Sequence, residues 1–434
     1  MAAPSFISGR ISFSFFVCAY CGDVQGSEMT LIRTFPVFRE PMTRRYLMGQ
    51  AASILGLWTQ NVTLNLLLWQ MTHVAWMLGV LNFLLYCPAL IVPLLFGSRL
   101  TPARVKVIMM KILFLSMIIS TLLLASVTLH FISSTFILLI AGVAGCISSM
   151  ELPTRQLLLT SSLHDKSLMY NAVAMNTMVF NIGRMFGPAI AAYSFNQVGA
   201  AGGFVISLCG LMTMFFAVRR IQVVEPDYKN RKAGGMRNAV RYVMQDSFAV
   251  RFLPMLAVVG IFAGSYQSLI PVLAAQGFHD TTRYTGWFFS SAGIGSLCSA
   301  LLISTRVSHQ RLLQWLSVAP WCCVLALTGI SFSHLPVLTS LCFLLLGLSL
   351  TFFSTMINST LQHHSPSELR GAVVGLYGMS FQGTMPLGNL LVGMMASVTN
   401  IMSTFLLMAF MLVVVLGGQW GATKWKHTSR SYNR

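Results

Sequence analysis

The amino-acid sequence predicts an all-α polytopic membrane protein with twelve transmembrane helices. Lys, Arg, Asp and Glu make up 9% of the 434 residues, whereas a soluble domain carries roughly 25%. The intervals that lack these residue types are long, with 53 residues at 46–98, 56 at 312–367 and 53 at 371–423. A spanning helix needs about 20 apolar residues, and barrel strands would alternate polar and apolar side chains. These continuously apolar intervals therefore predict helices.

Each helix follows from the interval that contains it. The interval 46–98 holds the first two helices, the stretch that ends at 150 holds the third and fourth, and 167–218, broken only by Arg184, holds the fifth and sixth. The intervals 252–279 and 284–305 hold one helix each, and the two remaining long intervals hold two each. The predicted helices run over 46–70, 75–97, 107–129, 135–154, 169–194, 200–218, 252–275, 284–304, 313–333, 336–359, 371–395 and 399–420.

Positive charges predict the orientation of these helices. Cytoplasmic loops of membrane proteins are enriched in Lys and Arg. Basic residues precede the first helix and follow each even-numbered one, with eight between Arg219 and Arg251, whereas the opposite loops carry only Arg283. Both termini are therefore expected in the cytoplasm, with the chain in a bacterial inner membrane. The net charge of +18 follows from this distribution and does not indicate a nucleic-acid partner.

The longest hydrophilic stretch divides the helices six and six. Apolar residues at helical spacing from Met236 predict a short amphipathic helix on the membrane surface within this stretch. The halves also match at an offset of 200 residues, where Gly183 aligns with Gly383. The predicted layout is an N-terminal extension outside the fold at 1–34, a six-helix bundle at 35–218, a basic linker at 219–251, a second bundle at 252–420 and a basic tail at 421–434.

Short motifs occur along the chain from Phe38 to Trp420. They are Phe38-Arg39 with Arg44 and Arg45, Gly49-Gln50 with Ser53 and Gly56, Trp58-Thr59-Gln60, Pro153-Thr154-Arg155-Gln156, Asn171-Ala172-Val173-Ala174, Arg184-Met185-Phe186-Gly187-Pro188-Ala189, Ser365-Pro366-Ser367-Glu368-Leu369-Arg370-Gly371, and the series Gly383, Pro386, Leu387, Gly388 and Gly393. Together they resemble the major facilitator superfamily and, within it, the enterobactin-exporter branch. The resemblance implies two pseudo-symmetric six-helix bundles, transport by alternating access and no cofactor.

The same resemblance suggests residues for coupling and gating. The stretch from Gly183 to Pro188 looks like the antiporter motif of exporters, although a Gly-x-x-x-Gly pattern also serves simple helix packing. The loop after the second helix departs from the family, because Ser98 stands where an acidic latch is expected. Gating is then expected to depend on the following residues: Arg99, Arg104, Glu151, Arg155, Gly183, Gly187, Pro188, Glu368 and Arg370.

Polar residues on the first helix are candidates for a substrate site. Trp58, Asn61, Asn65 and Trp69 recur at spacings of three, four and four, which places them on one face of a helix. Amides within the bilayer either join helices by hydrogen bonds or line a cavity. Both interpretations remain open for Asn61 and Asn65.

The fifth helix carries the one charge that lies well inside a predicted span. Thr177, Asn181 and Arg184 share a face at spacings of four and three. An Arg near the centre of a helix costs about 2.5–3.5 kcal/mol on insertion scales, so Arg184 should face the interior of the bundle. It either caps carbonyls or reaches Glu151 as a structural residue, or it provides a positive site for an anionic ligand.

The second half contributes candidates of lower specificity. These are Tyr266 and Gln267 in the seventh helix, Asn358 in the tenth, and Tyr377 and Phe381 in the eleventh. Aromatic residues at such spacing are also common in plain helix cores. If they line a cavity, they would suit a ligand with aromatic rings.

These residues favour a secondary active transporter that exports a small polar anion, most simply a siderophore, with protons as one option for the coupling ion. The alternatives are a multidrug or antibiotic efflux pump and, from another class, a nontransporting receptor or lipid scramblase.

The sequence contains no phosphate-binding G-x-x-x-x-G-K-[ST] loop and no nucleophile–base cluster, so no enzyme activity is expected. Cys18 and Cys21 form a C-x-x-C without a second pair, and His363-His364 lies in a predicted loop, so no metal site is expected. The expected partners are a small-molecule substrate and the lipid bilayer, and the chain is expected to be a monomer.

Overall fold

A computed structural model describes residues 40–96, 102–163, 168–222, 236–304, 314–366 and 369–432. The regular structure in these ranges is helical and groups into twelve spans, which confirms the predicted all-α polytopic fold. The predicted N-terminal extension, Arg99 and Glu368 lie outside the described residues, as does the linker between 223 and 235.

The first six spans form the N-terminal half. They are Pro41–Thr72; Ala75–Tyr86 with Pro88–Phe96; Pro102–Thr128; Ser134–Ser149 with Glu151–Ser161; Met169–Val198; and Ala200–Arg219. His73 ends the first span in the left-handed conformation, with φ of 51°, which reverses the chain sharply.

The linker contains the predicted amphipathic helix, Met236–Gln245. Ala239 on this helix is buried, whereas Arg237 and Arg241 are exposed. The Tyr242 hydroxyl donates a hydrogen bond of 2.8 Å to the carbonyl oxygen of His364. The linker helix is therefore attached to the end of the tenth span.

The last six spans form the C-terminal half. They are Ser247–Phe262 with the 3-10 segment Gly264–Ser268 and Ile270–Phe278; Thr281–Ser304; Ala319–Phe332; Pro336–His364; Arg370–Phe381 with Met385–Val398; and Ile401–Tyr432. The twelfth helix continues beyond the predicted end at 420. The seventh span is interrupted in its middle, because the 3-10 segment replaces about one and a half turns of α-helix.

The spans differ in how apolar they are. By length and composition, nine helices in the described ranges are apolar enough to cross a membrane. The first, fifth and eleventh spans are not among them. The first and fifth carry the amides and the arginine that the sequence singles out, and such groups are tolerated in a membrane only where they face protein or a water-filled cavity.

Packing places these polar spans inside the bundle. The first span packs against the fifth and sixth, and the eighth packs against the tenth. Contacts between the halves join the second span to the eleventh and the fifth to the eighth. We call the end of the bundle that carries Pro41 the basic end, and the end that carries the turn at His73 the opposite end.

Candidate functional site

Arg184 lies near the middle of the fifth span, between the two halves. Its Nη2 atom donates a hydrogen bond of 3.0 Å to the hydroxyl of Tyr266, which belongs to the 3-10 segment of the seventh span. On the other side its Cζ atom lies 5.7 Å from the centroid of the Trp58 ring, a cation–π distance. The guanidinium is therefore held between the first and seventh spans.

Tyr86 and Asn61 complete this central group. The Tyr86 side chain lies beside Asn61, and it is close enough to Arg184 and Tyr266 for electrostatic interaction. The indole nitrogen of Trp58 is buried and has no hydrogen-bond partner in the part of the chain that the structure describes. We call Trp58, Asn61, Tyr86, Arg184 and Tyr266 the central cluster.

The central cluster carries a positive charge without a paired acid among the described residues. The salt bridge found in these ranges joins Glu151 to Arg155, so the expectation that Arg184 reaches Glu151 is wrong. A partly accessible guanidinium fork, an unpartnered indole N–H and two phenol hydroxyls converge at one place. Such a set binds carboxylates or phenolates and offers ring faces to an aromatic ligand.

Gly183 and Gly187 bring the fifth span against the first. A Cβ atom on Gly183 would lie 2.5 Å from Cγ2 of Ile54, and one on Gly187 would lie 2.5 Å from Cβ of Trp58. Pro188 follows within the same continuous helix and is buried. The glycines thus hold the Trp58 ring beside Arg184, and their role in gating remains a prediction.

Glu151 and Arg155 form a buried ion pair at the broken fourth span. Their side chains are 8% and 3% exposed, and the Nη2–Oε1 distance is 2.5 Å. Arg155 Nη2 also donates to the Ser53 hydroxyl at 2.6 Å, and the Tyr46 hydroxyl donates to the Arg155 carbonyl oxygen at 2.9 Å. Glu151 is therefore a buried acid inside the N-terminal half, covered by the first span.

Other predicted residues of the N-terminal half make local contacts. The buried Asn65 accepts a hydrogen bond of 2.8 Å from Asn82 of the second span, so it joins helices. Thr177 is exposed and donates to the Val173 carbonyl oxygen, and Asn181 donates to the Thr177 carbonyl oxygen. Asn65 also donates to the Asn61 carbonyl oxygen at 2.8 Å, whereas the bonds of Thr177 and Asn181 do not involve the central cluster.

The predicted residues of the C-terminal half form a second group. Tyr377 and Phe381 stack with ring centroids 6.5 Å apart, and Tyr377 lies beside Ser354 of the tenth span. Asn358 accepts a bond of 3.0 Å from Gln362. Gln267 is half-buried beside Tyr266, and Arg370 is exposed at the start of the eleventh span.

Sequence reasoning missed several polar residues that the fold brings together. Tyr86 is one, and the sequence gives no signal for it because it is a single polar group in an apolar interval. Asn176 is another, because its amide oxygen accepts a hydrogen bond from the buried Gln50. Gln50 Oε1 has no partner within the described part of the chain.

The two halves meet closely at the opposite end of the bundle. A Cβ atom on Gly79 would lie 2.5 Å from the Asn389 carbonyl oxygen, and the Trp76 backbone N–H donates to the Ser397 hydroxyl at 3.0 Å. Between the fifth and eighth spans, a Cβ atom on Gly286 would lie 2.6 Å from Cβ of Ala192. These contacts close the bundle on that side of the central cluster.

Two six-helix halves around a central polar cluster define a secondary transporter of the major facilitator fold. A family model described as transmembrane secretion effector matches residues 32–426. The chain belongs to this family of the major facilitator superfamily, and it is an integral membrane transporter rather than an enzyme.

Three known proteins show how far the similarity extends. The Staphyloferrin A transporter of Staphylococcus aureus is 25% identical over 390 residues, which cover 86% of this chain and 94% of that protein. The multidrug efflux pump Tap of Mycolicibacterium fortuitum is 25% identical over 247 residues, 55% of this chain and 59% of that protein. The crystal structure of the nucleoside transporter NupG superposes with a TM-score of 0.73 at 11% identity, over 89% of this chain and 100% of that one, which shows a shared fold.

Proposed function

We propose that the chain exports a small, polar, anionic metabolite of the siderophore class by alternating access. The observation that carries the proposal is the Arg184 guanidinium, which lies between the two halves with a tyrosine hydroxyl as its polar contact and no paired carboxylate in the described ranges. Support comes from the similarity along most of the chain to a protein named for a siderophore. The description of the family as a secretion effector supports export.

The contacts between the halves suggest the order of events. With the opposite end closed, the substrate enters from the basic end and its anionic group replaces the Tyr266 hydroxyl on Arg184. Rocking of the halves then opens the other side, as in transporters with a site at the midplane. Trp58, Asn61 and Tyr86 contact the bound substrate, with the Tyr377–Phe381 group on the wall of the second half.

Glu151 is our candidate for a coupling proton site. It is a buried acid, it is held by Arg155, and Ser53 and Tyr46 of the first span contact the same pair. Protonation would release Arg155 and loosen the first span from the fourth. If Glu151→Gln still responds fully to an imposed pH gradient in a transport assay, Glu151 is not the coupling residue.

The orientation of the chain is part of the proposal. The basic end faces the cytoplasm and both termini lie there, since Lys and Arg cluster at that end. The domain layout is the one given by the sequence, in a bacterial inner membrane, with a monomer as the transporting unit. Reporter fusions after Trp420 and in the 196–202 loop test this topology, and a C-terminus outside the cytoplasm would overturn it.

Iron-starved cells provide the test of substrate and direction. Deletion of the gene should trap the chelator inside the cells and deplete it from the medium, and the intact gene should restore release while Arg184→Gln does not. Untargeted comparison of the released metabolites identifies the substrate. Unchanged chelator in the medium would overturn the proposal.

A multidrug efflux pump is the second candidate, and similarity to the pump Tap favours it. In that case deletion leaves the chelator in the medium unchanged and raises sensitivity to several unrelated drugs. A receptor or lipid scramblase would not accumulate a solute against its gradient in proteoliposomes, so that measurement separates both from a transporter.

A further inference from the structure

A groove opens between the eighth and tenth spans near the opposite end of the bundle. It has a volume of about 340 Å³ and is lined by Trp287, Ser290, Ser291, Val337 and Ser340. Trp287 is 44% exposed and Val337 is 67% exposed. Because both residues lie on helices apolar enough to cross a membrane, their exposed apolar surface faces the hydrocarbon.

Two hydroxyls in this groove lack a partner. The Oγ atoms of Ser290 and Ser340 are buried and make no hydrogen bond with the described part of the protein. Ser291 differs, since its hydroxyl donates to the Trp287 carbonyl oxygen at 2.8 Å. A buried hydroxyl without a partner is unfavourable, so both free hydroxyls are suited to donate to an acceptor that enters from the membrane.

A cation lies one turn before the groove. The Arg283 Cζ atom is 4.9 Å from the centroid of the Trp287 ring and 5.7 Å from that of Tyr284. Its side chain is exposed, and the nearby Asp280 carboxylate accepts a bond of 3.0 Å from the Arg283 backbone N–H. Arg283 is the one Lys or Arg in the predicted loops at this end, where the positive-inside rule requires none.

We propose that this groove binds a membrane phospholipid. The phosphate contacts Arg283, the ester carbonyl oxygens accept hydrogen bonds from Ser290 and Ser340, and an acyl chain lies on Trp287 and Val337. Arg283 and Ser290 are about 10 Å apart along the helix at 1.5 Å per residue. The Arg side chain folds onto Trp287, which shortens this separation toward the length of a glycerophosphate ester.

Native mass spectrometry of the purified full chain tests the proposal. After delipidation, titration with dioleoylphosphatidylglycerol should give one tightly retained lipid per chain. Arg283→Gln should weaken its retention about tenfold, the size expected for one lost charge-assisted hydrogen bond. The double change Ser290→Ala with Ser340→Ala should also weaken retention.

Two matched variants and one competitor serve as controls. Ser291→Ala removes a hydroxyl that already has a partner, and Arg251→Gln removes an arginine stacked on Phe252, at 5.4 Å, at the basic end. Both should retain the lipid, and millimolar glycerol phosphate should not displace it.

Four results would overturn the proposal. Equal losses for Arg283→Gln and Arg251→Gln would show a general charge effect, and full retention by the serine double variant would exclude the groove. Displacement by millimolar glycerol phosphate would indicate an anion site, and a dimer that the groove variants dissociate would make a second copy the occupant.

Discussion

Arg184→Gln removes the charge at the centre of the bundle while leaving the surrounding packing in place. The folded state loses a hydrogen bond to Tyr266 and the cation–π contact with Trp58, together about 1–3 kcal/mol. The bound anion loses two charge-assisted hydrogen bonds of about 1.5–3 kcal/mol each. At 1.36 kcal/mol per factor of ten, kcat/KM for transport should fall by about 10²–10⁴.

Export of the chelator from proteoliposomes measures this loss, and thermal unfolding in detergent measures the stability. Arg184→Lys keeps the charge without the planar fork, so it should restore transport only in part. Arg251→Gln, which also removes a ring-stacked arginine, should transport normally. If Arg184→Gln transports normally, or if its loss only follows unfolding, then Arg184 does not bind the substrate.

Three further predictions concern the neighbouring residues. Glu151→Gln leaves the buried Arg155 without its charged partner, so stability should fall by about 3–5 kcal/mol. An unchanged melting temperature would contradict this. Gly187→Val forces the fifth span away from Trp58 and should abolish transport. Gly371→Val should not, because no atom of the described residues lies within 4 Å of a Cβ at that position. Equal activity of the two variants would refute the packing role. Tyr86→Phe removes the hydroxyl that lies beside Asn61 and Arg184 and should reduce transport about fivefold at unchanged stability. An unaltered KM and rate would exclude Tyr86 from the site.

The fold could be predicted from the sequence because the membrane imposes a one-dimensional pattern. Length and apolarity alone place the spans, and the structure has a helix at each of the twelve predicted positions. The same pattern of apolar residues does not show where a helix is interrupted. The 3-10 segment Gly264–Ser268 and the break at Met150 leave hydropathy unchanged, since they alter only which backbone atoms pair.

The sequence predicted which site residues share a face of one helix, but not which helices meet at the site. Helical spacing identified Trp58, Asn61 and Arg184, because each belongs to a polar face of its own span. The partner of Arg184 could not be deduced, since Tyr266 is 82 residues away in another half. Tyr86 was missed because it is a single polar group in an apolar helix, and only packing places it beside Asn61.

The charges inside the bundle distinguish the two transport candidates. A pump for cationic drugs needs an accessible negative charge, and Glu151 does not provide one, because Arg155 neutralises it inside the N-terminal half. Arg184 has a neutral hydroxyl as its hydrogen-bond partner, so within the described residues the net charge at the centre is positive. In a low-dielectric site this charge attracts an anion and repels a cation far more strongly than in water. Cationic lipophilic dyes should therefore neither be transported nor inhibit export of the chelator, and transport of such a dye that survives Arg184→Gln would place drug binding at a different site.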